Sequence, residues 1–163
     1  AFTTSFDFKN KAKISCTVYA LRNVPYTGYI DISIEAQQEI KVKVTGKIQT
    51  PENFKNPDHK YEVLKDVETT MPILQSVAET PFGKHLVSTS ATFIWHTINS
   101  SREKERPELT AAITTDYTNT LTFEKTVNPA ESLDFAWTAA ECTTQDFNDP
   151  KFDVWLSQNQ NVW

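Results

Sequence analysis

Apolar and polar residues alternate with a period of two along most of the chain, the pattern of β-strands that bury one face. The longest run covers residues 109–123, where odd positions are mostly apolar and even positions are mostly threonine. We predict one long strand there, with its odd-numbered side chains buried and its threonines on the wetter face. The buried side chains of this strand would be Ile113, Tyr117, Leu121 and Phe123.

Shorter segments repeat the alternation, which indicates several further strands. Because the pattern does not place a helix between successive strands, we expect antiparallel pairing. The sequence therefore predicts a mostly β fold, with long antiparallel strands in a twisted sheet or sandwich. We expect one elongated domain over residues 1–163, either complete or a fragment or subunit of a larger protein. The shorter predicted strands lie at residues 14–20, 30–34, 40–44, 86–99 and 133–137.

The middle of the chain departs from this pattern. Residues 51–60 are polar and punctuated by proline, so we expect a loop. In residues 70–79, Pro72 fits the first turn of a helix, and Leu74 and Ala78 fall on one helical side. We predict one short helix over this segment.

Composition and charge narrow the classes of function. The 163 residues include 22 threonines and 10 serines, and the net charge is −5 with dispersed basic residues. Such a surface disfavours nucleic acid, so we expect no nucleic-acid partner. No apolar stretch is long enough for a membrane helix. Because Ala1 opens directly onto a strand-like segment, as after removal of a leader, we expect a secreted, extracellular protein.

The two cysteines, Cys16 and Cys142, lie too far apart in sequence to form a short-spacing metal or redox motif. Two interpretations stay open. Either they close one disulfide between neighbouring strands, or they are two small buried hydrophobic residues.

Motifs for catalysis are missing from the sequence. The histidines His59, His85 and His96 do not have the spacing of metal ligands on one face, and the three glycines are isolated. There is no Gly-x-Ser-x-Gly elbow and no signature of a catalytic cysteine. We therefore expect no catalytic residues, no metal and no cofactor, and we predict that the protein is not an enzyme.

Aromatic residues are the other candidates for a binding surface. Tyr26, Tyr29, Trp155 and Trp163 are surface candidates that would meet a sugar or the headgroup zone of a membrane. The strand phase of Trp95 and Trp137 instead favours the core.

Three segments resemble the aerolysin-like β-pore-forming proteins, a group with epsilon-toxin, mosquitocidal and natterin-like members. The first is residues 10–19, from Asn10 to Tyr19. The second is Val24-Pro25-Tyr26-Thr27, which leads into the next predicted strand. The third, residues 126–133, looks like the same turn and strand, and it follows the threonine-rich strand.

The resemblance implies a toxin that binds membrane lipid or a cell-surface receptor and assembles, as a homo-oligomer or with a partner chain, into a β-pore. The segments 86–98 and 109–123 would form the inserting hairpin, because both are amphipathic and long enough to cross a bilayer. The alternative is an extracellular binding or structural module, lectin-like or interaction-forming, without lytic activity. The candidates for membrane insertion are Val87, Ala91, Phe93, Trp95, Leu109, Ile113, Tyr117, Leu121 and Phe123.

Overall fold

The protein is described here by a computed structural model, which covers residues 1–21, 26–65, 70–96, 106–114 and 118–143, apart from the side chains of residues 64, 65, 70 and 71. Its elements are β-strands that pair antiparallel throughout. The strands are β1 (Phe2–Phe8), β2 (Ala12–Ala20), β3 (Thr27–Ala36), β4 (Ile40–Gln49), β5 (Lys55–Lys65), β6 (Thr70–Glu79), β7 (Leu86–Trp95), β8 (Thr110–Ile113), β9 (Thr118–Val127) and β10 (Ser132–Thr143).

These strands form two sheets that pack face to face. The larger sheet has seven strands in the order β1-β2-β3-β10-β7-β6-β5, and the smaller has three in the order β4-β9-β8. The prediction of long antiparallel strands in a mostly β fold is confirmed. Within the described residues, no helix has the length and hydropathy needed to span a bilayer.

Alternation places one side of most strands between the sheets. Even-numbered residues of β2 and β3 and odd-numbered residues of β10 point inward, where Ile34, Leu133 and Phe135 belong to the hydrophobic core. The resulting core includes Leu74, Leu121 and Phe135, which have no exposed surface. Burying side chains of this size stabilises the fold by roughly 1.5–3 kcal/mol each.

Five aromatic rings lock the two sheets together at this core. Phe123 of the small sheet meets Phe93 and Phe135 of the large sheet edge to face, with ring centroids 5.1 and 5.2 Å apart. Trp95 packs on Phe123 at 4.8 Å, and Trp137 packs on Phe93 at 4.8 Å. These ring contacts add to the burial energy and fix how the sheets face each other.

Gly46 on β4 lies in close contact with the large sheet. A Cβ atom built on Gly46 would lie 2.3 Å from the Trp137 ring, closer than real carbon atoms approach. The indole therefore lies directly against the β4 backbone, and only glycine leaves room for it.

The helix predicted for residues 70–79 is wrong, because this segment is strand β6. Burial in β6 alternates with a period of two residues, and Leu74, Ser76 and Ala78 are buried. Leu74 and Ala78 are four residues apart, a spacing that places two residues on one side of either a helix or a strand. Pro72 is tolerated because β6 pairs with β7 only from Leu74 onward. The predicted loop at 51–60 is also wrong in its second half, where β5 begins at Lys55.

The single strand predicted for residues 109–123 is two strands, β8 and β9, paired as antiparallel neighbours. Ala111 pairs with Leu121, and Ile113 pairs with Asn119. Odd-numbered residues therefore lie on the same face of both strands, so the alternation of the sequence continues unchanged where the chain reverses direction. Burial of Leu121 and Phe123 is confirmed, whereas Ile113 is 50% exposed and that prediction is wrong. Tyr117 lies outside the described residues.

The expected hairpin between residues 86–98 and 109–123 does not exist, because β7 belongs to the large sheet and β8 and β9 to the small one. The insertion candidates mostly face each other across the sandwich. Ala91, Phe93, Leu121 and Phe123 are buried, and Val87, Trp95 and Leu109 are half-buried.

The two cysteines do not lie on neighbouring strands, so that prediction is wrong. β3 lies between β2, which carries Cys16, and β10, which carries Cys142. Two strand spacings are about 10 Å, beyond the roughly 7 Å that a disulfide spans. Both residues are thiols and are half-buried.

One polar residue, Asn119 of β9, is fully buried between the sheets. Its Nδ2 donates to Nδ1 of His59, 2.8 Å away, and to the carbonyl oxygen of Gln75, 3.2 Å away. Because the amide nitrogen of Asn119 can only donate, Nδ1 of His59 is the acceptor in this bond. The pair of bonds ties the small sheet to both β5 and β6.

We predict that Gly46→Ala destabilises the protein by about 1–3 kcal/mol, because the added methyl group forces the Trp137 ring out of its site. Urea or thermal unfolding measures this. The matched control is Gly28→Ala, where the nearest atom to the new Cβ is 3.9 Å away. Equal stability of the two variants would contradict the close contact.

We predict that Asn119→Leu lowers the free energy of unfolding by about 1–3 kcal/mol, since it leaves the Gln75 carbonyl and Nδ1 of His59 without a hydrogen-bond donor. The same unfolding experiment on the exposed control Asn53→Leu should show a change within roughly 0.5 kcal/mol. An Asn119→Leu variant as stable as the wild type would show that the buried amide does not stabilise the fold.

Candidate functional site

On the side of the large sheet that faces away from the small sheet, the surface formed by β2 and β3 is polar, whereas Ala136 and Thr138 of the neighbouring β10 are buried there. Odd-numbered residues of β2 and β3 point to this side, and the strand register aligns them in rows with β10. His96, just after β7, joins them because its backbone N–H contacts the carbonyl oxygen of Asp134. We call this surface the outer polar face, defined by Lys13, Ser15, Thr17, Tyr19, Tyr29, Asp31, Ser33, Glu35, His96 and Asp134.

The centre of the outer polar face is a hydrogen-bonded group of three side chains. Nε2 of His96 lies 3.0 Å from Oδ1 of Asp31 and 3.2 Å from the hydroxyl of Tyr29. The ring of Tyr29 also contacts Tyr19 edge to face, with centroids 5.8 Å apart. The His96 and Asp31 side chains are 35% and 36% exposed, so a ligand can reach them.

These distances decide where the protons lie. A lone pair on Nε2 of His96 would repel the Asp31 carboxylate at 3.0 Å, so Nε2 carries a hydrogen and donates it. The Tyr29 oxygen lies 3.2 Å from the same nitrogen. With Nε2 acting as a donor, the Tyr29 hydroxyl keeps its own O–H as a hydrogen-bond donor.

The surroundings of Tyr29 keep it protonated. Burial raises the pKa of the Tyr29 phenol above its ordinary value of 10.0, and the negative charge of Asp31 and the neighbouring Tyr19 raise it further. The group is therefore a neutral hydrogen-bond donor throughout the physiological range.

One end of the outer polar face opens into a cleft of about 400 Å³. Its polar walls include Lys13, Glu35 and Glu131, and this volume lies within the range of small-ligand sites. Nearby, the two oxygens of Asp134 accept hydrogen bonds from Ser33 and Ser132, at 2.6 and 2.7 Å. The cleft thus continues a surface that is already dense in hydroxyl and carboxylate groups.

The charge of this surface is acidic. Asp31, Glu35, Glu131 and Asp134 carry carboxylates, and Lys13 is the cation among the side chains just described. An anionic ligand would be repelled, whereas a neutral ligand with many hydroxyl groups would find both donors and acceptors.

A second cleft, of about 160 Å³, lies at the edge between the two sheets. The hydroxyls of Thr50 and Ser76 bond to each other there at 2.7 Å, and Glu141 is among the lining residues. Its volume is below the range of most small-ligand sites. Among the residues that the structure covers, no three His, Cys, Asp or Glu side chains are grouped to hold a metal.

Of the surface aromatics predicted from sequence, Tyr29 lies in the outer polar face and Tyr26, 40% exposed, lies next to the start of β3. Trp155 and Trp163 lie outside the described residues. Sequence reasoning missed Asp31 and His96. The odd-numbered positions of β3 are polar in the sequence, and this pattern points to Asp31 as a surface residue. The contact of Asp31 with His96 depends on the order of strands in the sheet, which the alternation of residues does not specify.

Comparison with known proteins gives two curated relatives and a solved structure, while no family model matches. A kojibiose hydrolase from Flavobacterium johnsoniae is 27% identical over 150 residues, which cover 92% of this chain and 21% of the relative. A kojibiose hydrolase from Mucilaginibacter mallensis is 24% identical over 150 residues, covering 92% of this chain and 22% of the relative. This chain spans about a fifth of the length of these relatives.

The solved structure supports the fold. It is named a putative kojibiose phosphorylase from human microbiome, and it aligns with 94% of this chain and 19% of its own at a TM-score of 0.56 and 12% identity.

These comparisons correct three expectations. The resemblance to aerolysin-like proteins is wrong, because it depended on short turn-and-strand segments, whereas the relatives match nearly the whole chain. The predictions of a toxin and of a membrane pore are wrong for the same reason. The prediction that the protein is not an enzyme is also wrong, since the relatives are named as enzymes that process a carbohydrate.

We predict that Asp31→Asn lowers the pKa of Tyr29 towards its ordinary value, because it removes a negative charge that disfavours the phenolate. A raised pKa in the folded protein contributes stability that is complete below about pH 10 and is lost as the pH rises through the folded pKa, so this alkaline loss should shrink in the variant. Tyrosine NMR with Tyr29→Phe for assignment measures the pKa.

The matched control for this prediction is Asp134→Asn, on the same face but bonded to Ser33 and Ser132. It should leave the pKa of Tyr29 unchanged. An unchanged pKa in Asp31→Asn would contradict the contact network at His96.

Proposed function

We propose that this chain is a β-sandwich portion of an enzyme that processes a glucosyl disaccharide of the kojibiose type, and that its outer polar face binds the sugar. The observation that carries the proposal is the match of two proteins named kojibiose hydrolase over 92% of the chain. Binding without lysis agrees with the alternative drawn from the sequence, a lectin-like module.

The chemistry of the outer polar face supports sugar binding. Sugar hydroxyls both donate and accept, and they need both kinds of partner to replace water. Asp31 and Asp134 offer carboxylate acceptors, and the hydroxyl of Tyr29 offers a donor. The exposed ring of Tyr19 adds an apolar surface for the C–H face of a sugar ring.

The acidic charge of this face favours the neutral disaccharide over an anion such as phosphate. The carboxylates outnumber the single cation, Lys13, so the net field of this face repels an anion. The role proposed for this chain is therefore to hold sugar.

We predict that the chain binds kojibiose in a calorimetric titration and that Asp31→Ala weakens binding about tenfold or more. A hydrogen bond to a charged group contributes about 1.5–3 kcal/mol, which corresponds to that loss. Lys47→Ala, on the exposed side of the small sheet, is the matched control and should bind as the wild type does.

No heat of binding at millimolar kojibiose, or equal affinity of Asp31→Ala and wild type, would contradict the proposal. The secreted location and the assembly into a homo-oligomer stay predictions that this titration does not address.

A further inference from the structure

In the described part of the chain, the two sheets end in four edge strands: β1 and β5 in the large sheet, β4 and β8 in the small one. Exposed edges are usually protected against pairing with other chains by proline, bulges, charges or short length. β5 contains Pro57 and an irregular register between Lys55 and Asp58. β4 alternates lysines on its exposed side, and β8 has four residues.

β1 has little of this protection. Its sequence, Phe-Thr-Thr-Ser-Phe-Asp-Phe, contains a single charge and no proline, and it pairs with β2 over seven residues in unbroken register. A tight turn at Lys9 and Asn10, both with positive φ, closes this hairpin in the geometry that matches strand twist. β1 is thus an ordered strand with an open edge.

The inner face of β1 is also apolar and uncovered. Phe2, Phe6 and Phe8 are 71%, 53% and 48% exposed, and Val18, opposite Phe2 on β2, is 44% exposed. The main contacts of the small sheet are with β5, β6 and β7, so it covers the other half of the large sheet. Contiguous exposed apolar surface of this kind marks an interaction site.

We infer that β1 and the apolar face formed by Phe2, Phe6, Phe8 and Val18 dock against another part of the same enzyme polypeptide. This inference rests on the proposed function. The relatives are about five times as long as this chain. A partner surface in the same polypeptide would be covalently linked to β1 and therefore present at high effective concentration.

The charges around the face describe the partner surface. Asp7 is opposite Lys13 on β2, whereas Lys9 and Lys11 stand exposed at the turn. The partner surface is therefore apolar at its centre with acidic side chains at its margin. A second copy paired edge to edge through β1 would satisfy the backbone groups but leave the phenylalanine rings in water, so a larger body fits better.

The test is amide hydrogen exchange on the full-length gene product and on the 163-residue chain alone. We expect β1 amides to exchange at least tenfold more slowly in the full-length product, with β5 amides equal in both. Equal exchange of β1 in the two proteins would overturn the inference. The unmodified proteins suffice, so this readout does not depend on any variant folding.

Variants give a second readout. Phe6→Lys should lower the melting temperature of the full-length product by several degrees, whereas Phe82→Lys, 87% exposed in the turn before β7, should not. A stable dimer of the chain alone that Phe6→Lys dissociates would overturn the inference in favour of a second copy. Kojibiose binding is measured separately, so its absence with β1 protected would refute the proposed function and leave the docking contact standing.

Discussion

The contact between the Trp137 ring and the backbone of Gly46 sets the geometry on which the rest of the structure depends. It brings the sheets close enough for Phe93, Phe123 and Phe135 to pack edge to face between them. Once these core residues are fixed, the alternation of side chains along each strand determines which of the other residues point outward. A shift of one residue in the pairing of a strand would exchange its buried and exposed faces.

The outer polar face follows from the same constraint. Because even residues of β3 are held in the core, Tyr29 and Asp31 must point outward, and the strand order brings His96 to them. The chemistry of the site is therefore a property of the register of β3 with β10 and of β10 with β7. That register is what allows the sheet surface to present donors and acceptors at fixed spacing.

Local patterning predicted much of the fold but not how its strands meet. Alternation in β2 and β3 is unambiguous because both are half-buried, whereas β6 reads equally as helix until Leu74 and Ser76 are seen to alternate in burial. The reversal between β8 and β9 was hidden because paired residues share parity. Asp31 and His96 are 65 positions apart, so their contact depends on non-local pairing that periodicity does not encode.

The most direct test of the account is a map of backbone amide chemical shifts as kojibiose is added to the protein. The account predicts that the largest changes fall on β2, β3 and β10, around Tyr29 and Asp31, while the exposed side of β4 and β9 stays unchanged. Changes confined to the small sheet, or none at saturating sugar, would contradict the assignment of the outer polar face as the sugar-binding surface.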